Sequence, residues 1–499
     1  MASFSDLSTG LKSPDDLCEV PQQRRLSLRT RLAFGFGTIA FGIKNNGFST
    51  VLLLFYNQVA GLPADTVGLV IALALIFDSI ADPVIGHFSD QTRSRWGRRH
   101  PYMYAAALPI GLFYMLLWAP PRGDHTVTLW YLVGVALLVR TMISFYEVPN
   151  TALGAELTSD YHERTVLTGY RELFGWIGAV SMQFLLFAVL LKPAPGFPVG
   201  QLNPAGYQTY GIVAGLTMTA AILISALGTH REIAALPKLG HPLPFTAAFA
   251  NMRSALRSRA FVILLLSNLL ASTNNGVTFA MSVYANTYIW EMQPGAIALF
   301  TLSLLVGVAM AFVIAPLAGR RLGKRTAAVV CVVSYLSLVT IPVMARVLGV
   351  FPANTSPLLL PILLTFVAIY AGFGIAGSIL FGSMLSDVVE EDQARTGRRS
   401  EGVFFAGNFF ILKCAGGLGI FLTGLIITAV GFPTGARPGA VPLDVLNHLA
   451  LVYSGVTLIL GGAGALVLWQ YPISQQNHEA RVAALAGDGG AGGPQAVNI

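Results

Sequence analysis

The chain has 499 residues, of which 54% are hydrophobic and only 11% are charged, against about 25% charged residues in soluble domains. This composition excludes an ordinary soluble protein. The formal net charge of +7 lies mainly in loops and tails, not in a basic patch that would predict nucleic-acid binding. The three cysteines share no spacing and predict neither a disulfide framework nor a metal site.

Twelve continuous apolar stretches are each long enough to cross a bilayer as a helix, which takes roughly 20 residues. Because the apolar runs are continuous and do not alternate, they predict helices and exclude a β-barrel. The predicted spans are 32–59, 66–88, 102–120, 127–154, 167–191, 207–229, 260–289, 295–318, 326–348, 358–386, 402–430 and 446–471.

Most of the 31 Lys and Arg residues lie in the two tails and in the even-numbered loops. By the positive-inside rule, this distribution predicts a multi-pass protein of the plasma (inner) membrane with both termini in the cytoplasm. The polar N-terminal segment contains no cleavable signal peptide.

The sequence is duplicated. Asn45-Asn46-Gly47 in span 1 recurs as Asn274-Asn275-Gly276 in span 7, about 230 residues later, and two further matches share nearly the same offset. Duplication predicts an all-α membrane protein with twelve transmembrane helices in two pseudo-symmetric six-helix bundles, the major facilitator fold, with the site between the halves. The predicted domains are an N-terminal arm (1–30), an N-terminal bundle (31–229), a cytoplasmic linker (230–258), a C-terminal bundle (259–471) and a disordered tail (472–499).

Asp78 and Asp82 stand four residues apart within the apolar second span. On a helix this spacing puts both carboxylates on one face, one turn apart. Because an unpaired carboxylate in hydrocarbon is costly, such residues face a bundle interior or a water-filled path. The pair therefore predicts a site for a cation, which is a proton, a sodium ion or a basic side chain.

The loop after span 2 carries a pattern of glycine, acidic and arginine residues. This pattern predicts a cytoplasmic latch, a set of contacts that holds the protein in one of its alternating-access states. Its glycines permit tight turns, and its arginines can pair with Asp90 and with the negative ends of helices. The alternative interpretation is plain positive-inside charge. The predicted gating residues are Gly86, Asp90, Arg93, Gly97, Arg98 and Arg99.

Residues 78–86, followed by residues 92–99, resemble the signature of the glycoside–pentoside–hexuronide:cation symporters, the melibiose permease family. The further matches are Glu147-Val148-Pro149, Arg171, residues 396–402 and Lys413. In that family two span-2 acids and a span-4 acid form the cation site. The resemblance therefore implies a cation site at Asp78, Asp82 and Glu147.

Three carboxylates near one membrane depth cannot all be charged without a counter-ion, which supports the same site on physical grounds. Lys413 is predicted to pair with the acids across the two halves when the cation is absent. Arg171 is predicted either as a second charge partner or as an interfacial anchor. The alternative hypothesis is that the acids are structural and permanently paired with Lys413, Arg171 or Arg140.

Sodium-coupled members of the melibiose permease family tend to carry an Asn just before the second acid of span 2. This chain has Ala81 at that position. A sodium ion needs several oxygen ligands and a proton needs one carboxylate, so this departure favours H⁺ over Na⁺ as the coupling ion. Ser144, one turn before Glu147, could still ligate Na⁺ and is included in the predicted cation site. No cofactor and no other metal are expected.

Polar side chains within the spans are the substrate candidates. Lys44 and Arg140 could bind an anionic part of a substrate, and the asparagines could either bind its hydroxyl groups or join helices. Melibiose permeases carry an acidic residue in helix I and a Trp shortly after the acid of helix IV. This chain lacks both residues, so a melibiose-like substrate is not expected. The candidates are Lys44, Asn45, Asn46, Arg140, Thr151, Asn274, Asn275 and Asn408.

The sequence thus predicts a monomeric cation-coupled symporter for a sugar, glycoside or uronide, working by alternating access. The main alternative is a cation-coupled transporter of a lysolipid or other amphipathic anion, since animal lysolipid symporters belong to the same broad family. A membrane sensor would normally add a soluble signalling module, which this chain lacks. No nucleophile–base pair, phosphate loop or metal-ligand cluster indicates an enzyme.

Overall fold

The computed structural model describes residues 26–121, 123–158, 160–235, 256–396 and 401–472. This part of the chain is all-helical apart from one isolated β-bridge, and it contains no strand. Ten of its helices are long and apolar enough to cross a membrane. The first helix, which is divided by π turns, and a shorter third helix complete the predicted twelve, so the all-α fold class is confirmed.

The N-terminal half begins with α1, a helical run whose successive segments are Leu28–Phe36, Thr38–Asn46, Gly47–Val51, Leu52–Leu54 and Phe55–Val59. The following helices are α2 (Ala64–Gln91), α3 (His100–Leu117), α4 (His125–Leu157), α5 (Tyr161–Leu185, extended by the π turn Leu186–Leu190) and α6 (Pro204–Thr229).

The C-terminal half repeats this pattern. Its helices are α7 (Arg259–Tyr284, extended by the π turn Ala285–Ile289), α8 (Pro294–Leu322), α9 (Lys324–Val347), α10 (Leu359–Thr396), α11 (Glu401–Ala429) and α12 (Leu443–Trp469). The π turns Phe55–Val59 and Ala285–Ile289 close equivalent helices of the two halves.

Helix pairing follows the duplication. In the N-terminal half α1 packs on α5 and α6, while α4 packs on α2 and α3. In the C-terminal half the corresponding pairs are α7 with α11 and α12, and α10 with α8 and α9. The halves meet mainly where α2 packs on α11 and where α5 packs on α8. These contacts bring the second span beside the eleventh along the interface.

Several predicted boundaries differ from the observed ones. α1 begins at Leu28, inside the predicted arm, because Ser27 caps it by accepting a hydrogen bond from the Thr30 amide. The predicted linker starts with the 3₁₀ turn His230–Ala235, and residues 236–255 lie outside the described chain, as does almost all of the predicted tail. α10 runs to Thr396, ten residues past its predicted end, because a helix satisfies its own backbone outside the apolar layer as well.

The bundle has two ends, which we call the tail face, where α1 begins and α12 ends, and the far face, where α1 ends and α12 begins. At the far face the halves are joined by hydrogen bonds. Tyr284 donates to Asn57 Oδ1 at 2.9 Å, and Tyr288 donates to Gln58 Oε1 at 3.0 Å. Gln58 Oε1 also accepts from the Ala436 amide at 2.9 Å. The far face is therefore closed.

Candidate functional site

Asp78 lies at the contact of α2, α4 and α11 and is fully buried. Ser144 of α4 donates to its Oδ1 at 2.6 Å, and Arg140, one turn earlier, donates to its Oδ2 at 3.3 Å. Lys413 Nζ of α11 lies 3.2 Å from the same Oδ2. The carboxylate is thus held by both halves of the molecule.

Asp82 lies one helical turn beyond Asp78, and the predicted shared face is present. Its Oδ2 forms an ion pair with Lys413, while its Oδ1 has no hydrogen-bond partner among the described residues. The side chains of Asp82 and Lys413 are 23% and 20% exposed, whereas those of Asp78 and Arg140 are almost completely enclosed. Solvent can therefore reach the Asp82–Lys413 pair but not Asp78 and Arg140.

Glu147 and Lys44 complete the group without forming a close ion pair in the described chain. Glu147 Oε2 is buried and has no hydrogen-bond partner there. Lys44 is 1% exposed, its Nζ lies 4.6 Å from the Phe41 ring centroid, and its charge interacts with those of Asp78 and Glu147. The predicted cation-site residues and two of the predicted substrate residues thus lie in one place.

These side chains form what we call the charged cluster: Lys44, Asp78, Asp82, Arg140, Glu147 and Lys413. Its three carboxylates are matched by three basic groups, so the cluster is neutral when every member is ionised. Each charge in such a place needs a partner, because transfer of an unpaired ion out of water is costly. A cation bound to the acids would add positive charge to a neutral cluster, and Lys413 is the partly exposed base of that cluster.

Two of the five predicted substrate asparagines, and Thr151, form hydrogen bonds within the protein. Asn46 donates to Gln183 Oε1 at 2.7 Å, and Asn408 accepts from Asn268 at 2.6 Å, so both join helices. Thr151 donates to the Glu147 carbonyl within α4. Asn45 and Asn275 are exposed at equivalent positions of the two halves. Asn274 is buried, and its Oδ1 has no partner in the described chain.

Arg171 does not join the charged cluster as a predicted charge partner. Its guanidinium lies 5.9 Å from the Phe34 ring centroid, and within the described residues it forms no ion pair with the acids. This position agrees better with the alternative role of an anchor.

The residues of the predicted latch form ion pairs that lie within the N-terminal half. Arg99 pairs with Asp90, and its Nε lies 2.8 Å from Glu156 Oε1 at the end of α4. Arg98 also reaches Glu156, at 2.8 Å. The prediction that Gly86 lies in the loop is wrong, since α2 continues through Gly86 and Asp90 to Gln91.

Only Gly97 of the predicted loop glycines has the positive φ, +72°, that favours glycine in a turn. The exposed Arg93 forms no ion pair among the described residues. The C-terminal half has an equivalent contact, in which Lys324 pairs with Asp387 at 2.6 Å. Both contacts brace a tail-face loop against its own half, so neither directly ties the halves together.

Sequence reasoning did not place Glu156 or the far-face residues in the site. A signal for Glu156 existed, because the duplication aligns it with Asp387 at the ends of α4 and α10. Asn57 and Gln58 are visible in the sequence only as two adjacent amide side chains at the end of an apolar span, which is a weak indication of a contact between the halves. Their partners lie more than 200 residues away and are decided by packing.

The profile of the family described as MFS/sugar transport protein matches residues 33–475. An uncharacterized symporter of Synechocystis is 29% identical, over 91% of this chain and 96% of that protein. The isoprimeverose transporter of Lactiplantibacillus pentosus is 25% identical, over 89% of this chain and 88% of its own.

A further relative is the sodium-dependent lysophosphatidylcholine symporter 1 of Gallus gallus, which is 22% identical over 96% of this chain and 93% of its own. Among solved structures, a bacterial homologue of the human lysosomal transporter Spinster superposes with a TM-score of 0.61. The superposition covers 89% of this chain and 95% of that one at 14% identity, which shows a shared fold.

Proposed function

We propose a transport cycle from the premise that this chain belongs to the MFS/sugar transport protein family, among the glycoside–pentoside–hexuronide:cation symporters. Its cargo is a sugar, glycoside or uronide, carried with a cation by alternating access between the two halves. The family assignment and the isoprimeverose transporter among its relatives support this solute class. The protein acts as a monomer and is not an enzyme.

The observation that carries the proposal is the ion pair of Lys413 with Asp78 and Asp82 across the α2–α11 contact. A cation that neutralises Asp82 removes one of the two ion pairs that hold Lys413. The tie between the halves then weakens, and the halves reorient with cation and solute bound. When the cation leaves, Lys413 regains both acids and the tie between the halves forms again, which resets the cycle.

The coupling ion is a proton, with Na⁺ the less favoured choice. Both oxygens of Asp78 already accept hydrogen bonds, from Ser144 and Arg140, which leaves few free ligands for a metal ion. Asp82 Oδ1 is unpartnered and is enough for one proton. Na⁺ would need oxygens of Asp82, Glu147 and Ser144 together.

The tail face is cytoplasmic in this proposal, in the plasma (inner) membrane. Most of the Lys and Arg residues of the chain lie in the tails and in loops at this face, as the positive-inside rule requires. The closed far face then corresponds to a state in which solute is released inwards.

The second candidate function is cation-coupled transport of a lysolipid or another amphipathic anion. It is favoured by the lysophosphatidylcholine symporter among the relatives and by the buried basic pair of Lys44 and Arg140. Both basic groups lie beside acids, however, so an anion would also have to displace a carboxylate.

Purified protein in vesicles tests the proposal. We expect isoprimeverose, methyl glycosides or D-glucuronate to accumulate under an inward proton gradient without sodium, and lysophosphatidylcholine not to accumulate. Asp82→Asn should abolish accumulation while Asp82→Glu retains part of it. The proposal fails if Asp78→Asn and Asp82→Asn both accumulate solute at the wild-type rate.

A further inference from the structure

A cavity of about 270 Å³ opens at the tail face, between the start of α1 and the 3₁₀ turn that ends α6. It lies at the end of the α1–α6 contact, where Gly228 lies close against Ala33. None of its lining residues belongs to the charged cluster. They are Leu26, Ser27, Arg29, Thr30, Leu227, Gly228, Arg231 and Glu232.

Two arginines of this cavity are open to a ligand. Arg29 and Arg231 are both exposed, and neither forms an ion pair in the part of the chain that the structure describes. The neighbouring Arg31 differs, because it pairs with Glu163 at 2.8 Å. Guanidinium groups bind phosphate through parallel N–H donors, so the two unpaired arginines suit a phosphate group that reaches the cavity.

The other polar groups of the lining are engaged with one another. The Thr30 amide donates to Ser27 Oγ at 3.1 Å, and the Thr30 hydroxyl donates to Glu232 Oε1 at 3.1 Å. Glu232 is 8% exposed, whereas Arg29 and Arg231 are exposed. The charge that a ligand meets at the mouth of the cavity is therefore positive.

Apolar side chains continue from the cavity towards the middle of the membrane. Ile224, Leu227 and Arg231 share one face of α6, since they are three and four residues apart. Ile224 and Leu227 are 46% and 63% exposed. Leu28 and Leu32 of α1 are exposed as well. A basic end followed by an exposed apolar stripe matches an amphiphile with an anionic headgroup.

We propose that this cavity binds the phosphate of an anionic phospholipid from the leaflet at the tail face. Arg29 and Arg231 hold the phosphate from two helices, and the acyl chains lie along Leu32, Leu227 and Ile224. A free phosphate ion would use only the arginines and leave these apolar side chains uncovered. The site goes beyond the proposed function, because neither the solute nor the coupling cation takes part in it.

The test titrates phosphatidylglycerol into delipidated full-length protein in detergent and follows bound lipid by native mass spectrometry. Arg29→Gln and Arg231→Gln should each weaken the tightest binding about fivefold, the contribution of one basic side chain near an anionic surface. The double variant should weaken it about 25-fold.

Glu232→Gln should act in the opposite direction. It removes a negative charge from the cavity and keeps an oxygen that can accept from Thr30, so binding of phosphatidylglycerol should become about two- to fivefold tighter. A folding defect would not produce tighter binding. This variant therefore separates an electrostatic effect at the cavity from a general loss of structure.

Arg320→Gln is the matched control, because Arg320 is exposed near the end of α8 and lies outside the cavity. It should leave the affinity unchanged. Phosphatidylcholine with the same acyl chains should bind more weakly than phosphatidylglycerol, since its headgroup has no net charge. The compound sn-glycerol 3-phosphate has the phosphate without the chains and should not displace the lipid.

Four outcomes overturn the inference. Equal binding of the two lipids would show that the cavity does not select an anion. Wild-type affinity in the double arginine variant would place the lipid elsewhere. Equal weakening by Arg320→Gln and Arg29→Gln would show only a general attraction to the tail face. Displacement by sn-glycerol 3-phosphate would indicate a site for free phosphate. No transport is measured, so the solute and cation proposals are tested separately.

Discussion

Lys413 on α11 lies with its Nζ 3.2 Å from Oδ2 of Asp78 on α2, and this contact crosses between the two halves of the molecule. Lys413 also pairs with Asp82 one turn away. A single ammonium group thus serves two carboxylates of the opposite half. Since Lys413 is the partly exposed base of the charged cluster, it is the group whose release can follow cation binding.

Removal of the Lys413 charge should uncouple transport. Lys413→Gln leaves Asp82 without its partner, and we expect loss of solute accumulation, with solute exchange across the membrane reduced less than tenfold. Lys413→Arg keeps the charge and should retain part of the accumulation. Parallel uptake and counterflow assays in vesicles measure both quantities, and wild-type accumulation by Lys413→Gln would contradict the prediction.

Loss of the Arg140 charge should lower the stability of the protein more than it weakens the coupling between cation and solute transport. It is fully buried against Asp78, and loss of one partner of a buried pair costs about 3–5 kcal/mol. Arg140→Gln should therefore lower the free energy of unfolding by roughly this amount, with Arg140→Lys losing less. Thermal unfolding in detergent gives the comparison. Equal stability of Arg140→Gln and wild type would show that the pair is not maintained.

A cross-link between α2 and α11 should lock the state described here. Cys414 Sγ lies 3.7 Å from Ser79 Oγ, so Ser79→Cys places two thiols close to bonding distance. We expect oxidation to form a disulfide that blocks uptake and reductant to restore it. The double variant Ser79→Cys with Cys414→Ser is the control, and the oxidant should not change its uptake. Full uptake by the cross-linked protein would exclude movement at this contact.

Gln58 should hold the far face closed. Its side-chain oxygen accepts from both Tyr288 and the Ala436 amide, and each bond contributes about 1 kcal/mol. Gln58→Leu should therefore shift the equilibrium towards the far-open state about 10- to 100-fold. Faster labelling of a buried Thr287→Cys thiol by an impermeant maleimide measures the shift.

Asn203→Ala provides the control for this experiment. Asn203 also lies at the far face, but it donates to the Lys192 carbonyl within its own half. Its loss should leave the labelling rate of Thr287→Cys unchanged. Equal labelling rates in Gln58→Leu and Asn203→Ala would show that the far face is held by packing alone.

The sequence by itself determined the helices, their number and their duplication, because a bilayer demands long apolar segments with internally bonded backbones. It also determined that Asp78 and Asp82 share a helix face, which is a local property of four-residue spacing. Ser144 was found from its place one turn before Glu147 in α4.

Only the tertiary structure decided which charges meet. Arg140, Lys44 and Lys413 come from three helices, and nothing in their local sequence shows that they balance three acids. It likewise decided that the Arg99 contacts remain within one half and that Arg171 lies on Phe34. Side-chain partners across helices depend on the rotation and depth of each helix, which packing sets and periodicity does not.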